Sequence, residues 1–105
     1  MLRHKVEITR IAEADIQYIF DYISTDSKTA AIRLVDEIER QIETLETSPM
    51  RCAVIPESHE LGGKYRHLIY GNYRTIFRID GARVIIMRVI HGARLLDMQI
   101  LESQS

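Results

Sequence analysis

Two glycine-containing dipeptides constrain the fold of this chain more than any other feature. Gly71-Asn72 separates Tyr65–Tyr70 from residues 73–79, and Asp80-Gly81 separates residues 73–79 from residues 82–90. The three flanking segments are rich in Val, Ile, Tyr and Phe, which favour strands. Two-residue turns of these kinds favour tight hairpins because Gly, Asn and Asp tolerate positive φ. The second part of the chain is therefore predicted to be a three-stranded antiparallel meander.

The first part of the chain carries the patterns of one strand and two helices. Residues 3–8 alternate as in a half-buried strand, and Thr9 then offers an N-cap. The helix predicted after this cap has a stripe of apolar residues at helical spacing, Ile16, Ile19, Phe20 and Ile23. Residues 24–27 break this helix and cap a second one, which Pro49 is expected to stop. The apolar stripe of the second helix consists of Ala31, Val35, Ile38, Ile42 and Leu45.

These elements predict an α+β fold in the order β-α-α-β-β-β. An N-terminal strand is followed by an antiparallel helical hairpin that packs on one face of a mainly antiparallel sheet, because that arrangement buries both apolar surfaces. Residues 49–63 are predicted to be an irregular loop, and residues 93–101 a short C-terminal helix or tail. The pattern contains no repeat and no linker, so residues 1–105 are predicted to be one domain.

Composition excludes several kinds of site and indicates a cytoplasmic protein. Cys52 is the only cysteine, so no internal disulfide and no cysteine-based zinc site can form, and a reducing compartment is indicated. The four histidines lack the spacing of a metal site, and no Gly-rich phosphate loop follows a strand, so no metal and no cofactor is expected. We find neither a signal peptide nor an apolar run long enough to cross a bilayer, so no membrane partner is expected.

The net charge of −1 hides a split between an acidic and a basic part of the chain. Residues 1–63 hold 7 Lys/Arg against 12 Asp/Glu, whereas residues 64–96 hold 7 Lys/Arg against Asp80 alone. One interpretation is a basic surface suited to an anionic partner. The other is mutual neutralisation between the helices and the sheet. Charge alone leaves both interpretations open.

Strand parity sorts the side chains of the predicted meander onto two faces. The face expected to carry the helices receives Leu68, Tyr70, Tyr73, Thr75, Phe77, Val84, Ile86 and Ile90, with Arg66 and Arg88 among them. The other face receives Tyr65, His67, Ile69, Arg74, Ile76, Arg78, Arg83, Ile85, Met87, Val89 and His91. Like charges on one face repel unless an anion or a partner's carboxylates lie among them, so this second face is predicted to bind an anion or a target protein. With neighbours in flanking segments, the predicted binding residues are Lys64, His67, Arg74, Arg78, Arg83, His91 and Arg94.

Three residues form a candidate catalytic group for the case that the substrate is a phosphodiester. His91 ends the last strand on the same predicted face as Arg74, where a histidine can act as a general acid or base. Glu57 in the long loop can supply a base, while Arg74 can stabilise a pentavalent phosphate. The alternative is structural: a hydrogen-bonded histidine at a strand end and an arginine that pairs with a carboxylate. Both interpretations stay open.

The order of the elements and several fragments resemble the RelE/ParE superfamily of toxins over nearly the whole chain. The first helix opens with IAEADI at residues 11–16, and the second ends in LETSP at residues 45–49. The most specific fragments are YRHL at residues 65–68, GNYRTIFRI at residues 71–79 and VIIMRVIHGAR at residues 84–94. Each fragment alone is a weak signal, whereas their common order and spacing are typical of this superfamily.

The resemblance implies a growth-arresting toxin whose cognate antitoxin, encoded beside it, wraps it with a helix and an extended segment in a hetero-oligomer. RelE-like members cleave mRNA inside the ribosome. Arg74 and His91 fall on positions that match their pattern, and Glu57 is the match to their glutamate, but Gly92 stands where some such nucleases carry a tyrosine. ParE-like members poison DNA gyrase without a recognised catalytic site.

The charge of the chain favours inhibition of DNA gyrase over cleavage of mRNA. A pI near 6.4 is poorly suited to a nuclease that must bind the phosphates of the ribosome. Inhibition of DNA gyrase, with plasmid or chromosomal stabilisation as the biological role, is therefore the preferred prediction. A ribosome-dependent mRNA endonuclease is the alternative, as is an inactive relative that acts only in complex with its antitoxin.

Overall fold

A computed structural model describes residues 3–59 and 64–92 of the chain. It contains strand β1 (Lys5–Ile8), helices α1 (Arg10–Ser24) and α2 (Lys28–Thr44), and strands β2 (Tyr65–Tyr70), β3 (Tyr73–Asp80) and β4 (Arg83–His91). The predicted α+β fold in the order β-α-α-β-β-β is confirmed. The C-terminal helix or tail predicted for residues 93–101 lies outside the described residues. Within the described part, no helix is long and apolar enough to cross a membrane.

The sheet is mixed, with the strand order β1-β4-β3-β2. Strand β1 runs parallel to β4, while β2, β3 and β4 form the predicted antiparallel meander. The helical hairpin packs on one face of this sheet, and its apolar stripes meet Phe77, Val84, Ile86 and Val89 in the main core. We call the opposite face of the sheet the open face.

Both helices begin where the sequence predicts. The Thr9 side chain accepts a hydrogen bond from the amide of Ala12 at 3.1 Å, and the Ser27 side chain accepts one from the amide of Ala30 at 3.1 Å. These bonds satisfy amides that a helix leaves unpaired in its first turn. Helix α2 ends at Thr44, earlier than predicted, because the chain already turns at Leu45. Pro49 instead opens a short 3-10 helix.

The two hairpin turns use their glycines in the same way. Gly71 and Gly81 have φ of 57° and 60°, and no other residue among those described has positive φ. Pairing of Tyr70 with Tyr73 makes Gly71-Asn72 the first turn, as predicted. Pairing of Asp80 with Arg83 makes Gly81-Ala82 the second turn, one residue later than predicted. Glycine at the first central position suits a type II′ turn, whose twist matches that of the strands.

A β-bulge in β4 changes part of the predicted face assignment. Ile76 lies opposite Arg88 and Phe77 opposite Ile86, so Met87 is an extra residue in the ladder. From Val89 onward the side chains of β4 lie on the faces opposite to those predicted, whereas Arg88 still reaches α1 as predicted. The predicted faces of Val89, Ile90 and His91 are therefore wrong. Val89 packs in the main core under the helices, and Ile90 packs with Ile76, Ile85 and Met87 on the open face.

The segment between α2 and β2 covers the free edge of the sheet. Val54 forms an antiparallel bridge with Arg66 of β2. The amide of Ile55 donates to the carbonyl of Tyr65 at 2.8 Å, and the amide of His67 donates to the carbonyl of Ala53 at 3.2 Å. Ile55 is thereby buried in the apolar cluster of the open face. The predicted irregular loop is thus ordered along this stretch and brings its carboxylate, Glu57, to the sheet.

Candidate functional site

Arg74 and Glu57 form a buried ion pair on the open face. The two guanidinium NH groups of Arg74 donate to the two carboxylate oxygens of Glu57 at 3.0 and 2.7 Å. Only 8% of the Arg74 side chain and 12% of the Glu57 side chain are exposed. Such a two-point pair is the strongest form of charged hydrogen bonding between side chains. These two residues were predicted to share one site, and the structure does bring them together. They bind each other, whereas the prediction had both facing a phosphodiester.

His67 lies next to this pair. It stands opposite Ile76 on β3, with Arg74 two residues away on the same face. Its Nδ1 is buried and has no hydrogen-bond partner within the described part of the chain. Burial lowers the pKa of His67, and the positive charge of Arg74 lowers it further, while Glu57 acts in the opposite direction. The imidazole is therefore held in its neutral form beside the ion pair.

His91 lies on the helix side of the sheet, away from Arg74 and Glu57. It stands opposite Tyr73, which packs against the main core, and directly paired residues point to the same face. The two rings meet edge to face, with their centroids 5.7 Å apart and their planes at 74°. The predicted trio is therefore not assembled: the prediction that His91 shares a face with Arg74 is wrong, because the bulge at Met87 inverts the end of β4.

The remaining predicted anion-binding residues are mostly engaged by carboxylates of the chain itself. Arg83 pairs with Glu7 at 3.2 Å and with Asp80 at 2.9 Å, and Arg78 lies 3.7 Å from Asp80. Lys64 is exposed. Arg94 lies outside the described residues. Among the residues described, mutual neutralisation accounts for most of the basic side chains on the sheet.

A second buried ion pair, which the sequence analysis missed, joins α1 to β4. The guanidinium of Arg88 donates from Nε and from one terminal nitrogen to the carboxylate of Asp15, both at 2.7 Å. The amide of Val89 donates to the same carboxylate at 3.0 Å. Two opposite charges on the two buried faces, Asp15 beside the apolar stripe of α1 and Arg88 in the strand that faces it, were the signal that could have revealed this pair.

An aromatic pocket lies beside Asp15 and His91, between α1 and the end of the sheet. Its volume is about 380 Å³, and its lining consists of Asp15, Tyr18, Tyr22, Tyr73, Val89, Ile90 and His91. Burial raises the pKa of Tyr73, and the neighbouring Tyr22 and Tyr18 raise it further. Sequence reasoning also missed this site, although Tyr18 and Tyr22 stand one helical turn apart outside the apolar stripe of α1.

An acidic groove runs along the other side of α1. One cavity of about 410 Å³ is lined by Ile8, Glu13, Ile16, Gln17, Phe20, Val35 and Glu39. A second, of about 360 Å³, is lined by Val6, Ile8, Glu39, Ile42, Glu43 and Glu46. The two cavities share Ile8 and Glu39, and neither is lined by a lysine or an arginine. We call these two cavities together the acidic groove.

The described residues contain no cluster of three His, Cys, Asp or Glu side chains placed to hold a metal ion. Cys52 is a buried free thiol, and burial raises its pKa. A thiol in this setting packs as a small apolar side chain.

Comparison with known proteins assigns the family. A hairpin of two helices on one face of a four-stranded mixed sheet is the architecture implied by the resemblance to the RelE/ParE superfamily. The family model described as the ParE toxin of the type II toxin-antitoxin system, parDE, matches residues 6–96. Because this match spans most of the sequence, the chain belongs to the ParE toxin family.

Solved structures share the fold. The chromosomal ParDE toxin–antitoxin system from P. aeruginosa has a TM-score of 0.66 and 23% identity, covering 85% of this chain and 96% of that one. The RelBE2 toxin–antitoxin complex from Mycobacterium tuberculosis has a TM-score of 0.63 and 20% identity, covering 86% of this chain and 99% of that one. A comparison with curated proteins finds no match.

Proposed function

We propose that the chain is a toxin that inhibits DNA gyrase without a catalytic site of its own and is neutralised by a cognate antitoxin. The proposal starts from membership of the ParE toxin family over residues 6–96. The single observation that carries the choice of activity is the bidentate pair between Arg74 and Glu57. The charged groups best placed for nuclease chemistry are engaged with each other.

The position of His91 also favours gyrase inhibition over nuclease activity. A general acid or base must reach the scissile bond within hydrogen-bonding distance or through one water. His91 packs edge to face on Tyr73, on the helix side of the sheet, whereas Arg74 and Glu57 lie on the open face. A phosphodiester bound at Arg74 would therefore have the sheet between it and His91.

The electrostatics of the sheet argue against a nucleic-acid target. Affinity for the phosphate backbone grows with the number of phosphates that free cations neutralise. Arg74, Arg83 and Arg88 each hold a carboxylate of the chain, so few of the basic groups in residues 64–92 are left to act in this way. A protein target, which is recognised through shape and a few side-chain anchors, suits this surface better.

The residues that line the acidic groove favour a basic, amphipathic segment of the antitoxin as its ligand. Apolar side chains such as Ile8 and Phe20 line it together with acidic ones, Glu13, Glu39 and Glu43 among them. A partner segment with apolar anchors on one side and lysine or arginine beside them matches both properties. We therefore place a basic amphipathic segment of the antitoxin in this groove.

Two assays with the purified chain test the proposed activity. In the first, gyrase supercoils relaxed plasmid in the presence of increasing amounts of the chain. In the second, ribosomes programmed with a defined mRNA receive the same amounts. Loss of supercoiling with intact mRNA is the expected result. Cleaved mRNA with normal supercoiling would refute the proposal, and an effect in neither assay would indicate a relative that acts only with its antitoxin.

A further inference from the structure

The aromatic pocket between α1 and the end of the sheet is not used by the proposed function. Tyr18 and Tyr22 line this pocket and are 71% and 66% exposed, so both residues are accessible to a ligand. Tyr73 and His91, which contact each other edge to face, line the same pocket from the sheet. Four aromatic residues thus line one cavity of about 380 Å³, which is the composition of sites that bind cations against ring faces.

The charges around this pocket are negative. Asp15 lines the pocket, and Asp21 and Asp26 lie close in sequence to its two α1 tyrosines. Residues 11–27 contain no lysine or arginine. The last turn of α1 has no basic residue, so the partial negative charge of its carbonyl end is not offset there. Asp15 is paired with the neighbouring Arg88, so these two side chains together add no net charge, and the negative charge near the pocket comes from Asp21, Asp26 and the end of α1. A positively charged ligand would meet ring faces and negative charge together.

The pocket is separate from the acidic groove. Helix α1 supplies Asp15, Tyr18 and Tyr22 to the pocket, but Glu13, Ile16, Gln17 and Phe20 to the groove. With about 3.6 residues per turn, these two sets lie on opposite sides of the helix. A ligand of the pocket therefore makes contacts that a ligand of the groove does not.

We propose that this pocket binds the cationic side chain, arginine or lysine, of a basic segment of a partner protein. The cation lies against the tyrosine rings, whose negative faces attract it. Arginine fits better than lysine because its planar guanidinium also stacks on aromatic rings. A nucleotide would stack its base on the same rings, but its phosphate would be repelled by the aspartates of α1. The proposal does not depend on gyrase being the target.

A short peptide tests the proposal on the full chain. The probe is acetyl-Gly-Arg-Gly-Arg-Gly-amide, compared with the same peptide carrying Glu in place of Arg. The chain has 5 Tyr and no Trp, so ring-labelled tyrosine gives few and separable NMR signals. Saturable shifts of Tyr18, Tyr22 and Tyr73 with the arginine peptide are expected, with Tyr65 and Tyr70 less affected. Equal shifts of all five tyrosines, or equal effects of the glutamate peptide, would overturn the proposal.

Variants separate the ring contact from other effects. Loss of both exposed rings in Tyr18→Ala with Tyr22→Ala is expected to weaken binding about two- to fivefold, the size of one exposed cation–π contact. Tyr18→Phe keeps the ring and is expected to keep the affinity. Ile69→Ala removes a side chain that is 60% exposed on the opposite face and serves as the matched control. Unchanged affinity in the double variant would contradict the proposal, as would tighter binding of uridine monophosphate than of the arginine peptide.

Discussion

The carboxylate of Asp15 on α1 and the guanidinium of Arg88 on β4 face each other through two hydrogen bonds of 2.7 Å. Their side chains are only 13% and 11% exposed. The carboxylate also accepts the amide of Val89, in the part of β4 that extends beyond its pairing with β1. One side chain of the helix thus satisfies both a buried cation and an edge amide of the sheet.

Removal of Asp15 is expected to be strongly destabilising. Asp15→Ala leaves Arg88 buried without its partner, and the loss of one member of a buried pair costs about 3 kcal/mol or more. Urea unfolding at pH 7 measures this free energy. Asp80→Ala breaks the exposed contacts to Arg83 and Arg78 and is expected to cost much less, because water screens exposed ion pairs. Equal losses in the two variants would contradict the structural role of Asp15.

The pair between Glu57 and Arg74 is expected to be structural. Glu57→Leu alone should cost about 3 kcal/mol because it removes the carboxylate that faces the buried guanidinium of Arg74, whereas Glu57→Leu with Arg74→Met should recover most of that loss. If the pair has no part in catalysis, the double variant should inhibit gyrase as the wild type does. A folded double variant without gyrase inhibition would assign the pair a role in target binding.

The helices and strands of this fold could be predicted from the sequence, but the faces on which the last residues of β4 lie could not. The turn glycines Gly71 and Gly81 and the caps Thr9 and Ser27 each act through their own backbone, so their effect can be predicted locally. The position of the bulge at Met87 cannot be predicted in this way, because residues 84–90 other than Arg88 are apolar at both parities and either register buries apolar side chains. The face of His91, and with it the predicted catalytic trio, depended on that one residue.

The two buried ion pairs also differ in how far the sequence could predict them. Glu57 and Arg74 are 17 residues apart, and the loop that joins them follows a path that depends on the bridge between Val54 and Arg66. Asp15 and Arg88 are 73 residues apart, but each interrupts an apolar surface, so their pairing could have been inferred from the packing of the hairpin on the sheet.

Stability should depend on pH through His67. Burial and Arg74 lower its pKa below the ordinary value of 6.5, so between these two values the unfolded chain binds more protons than the folded one. Its contribution to stability is therefore complete above pH 6.5 and is lost as the pH falls towards the folded pKa. Urea unfolding of wild type and His67→Gln at several pH values measures this difference. A wild-type stability that fell no more steeply than that of the variant would rule out this role.

Antitoxin binding should depend on the charge of the acidic groove. Glu39 lines both cavities of this groove, so Glu39→Lys is expected to weaken the complex with the cognate antitoxin by about tenfold or more, since like charges at an interface cost several kcal/mol. Asp36→Lys makes the same change of charge on α2 at an exposed residue that lines neither cavity. Isothermal titration with both variants checks the prediction. An equal loss of affinity in the two variants would indicate a general charge effect.

The most direct test of the gyrase proposal is the detection of DNA breaks trapped by gyrase. Supercoiled plasmid is incubated with gyrase, ATP and the purified chain, and the protein is then denatured and digested before electrophoresis. Linear plasmid that increases with the amount of chain, and that is absent without gyrase, is the predicted result. Intact plasmid together with cleaved mRNA in the ribosome assay would contradict the account.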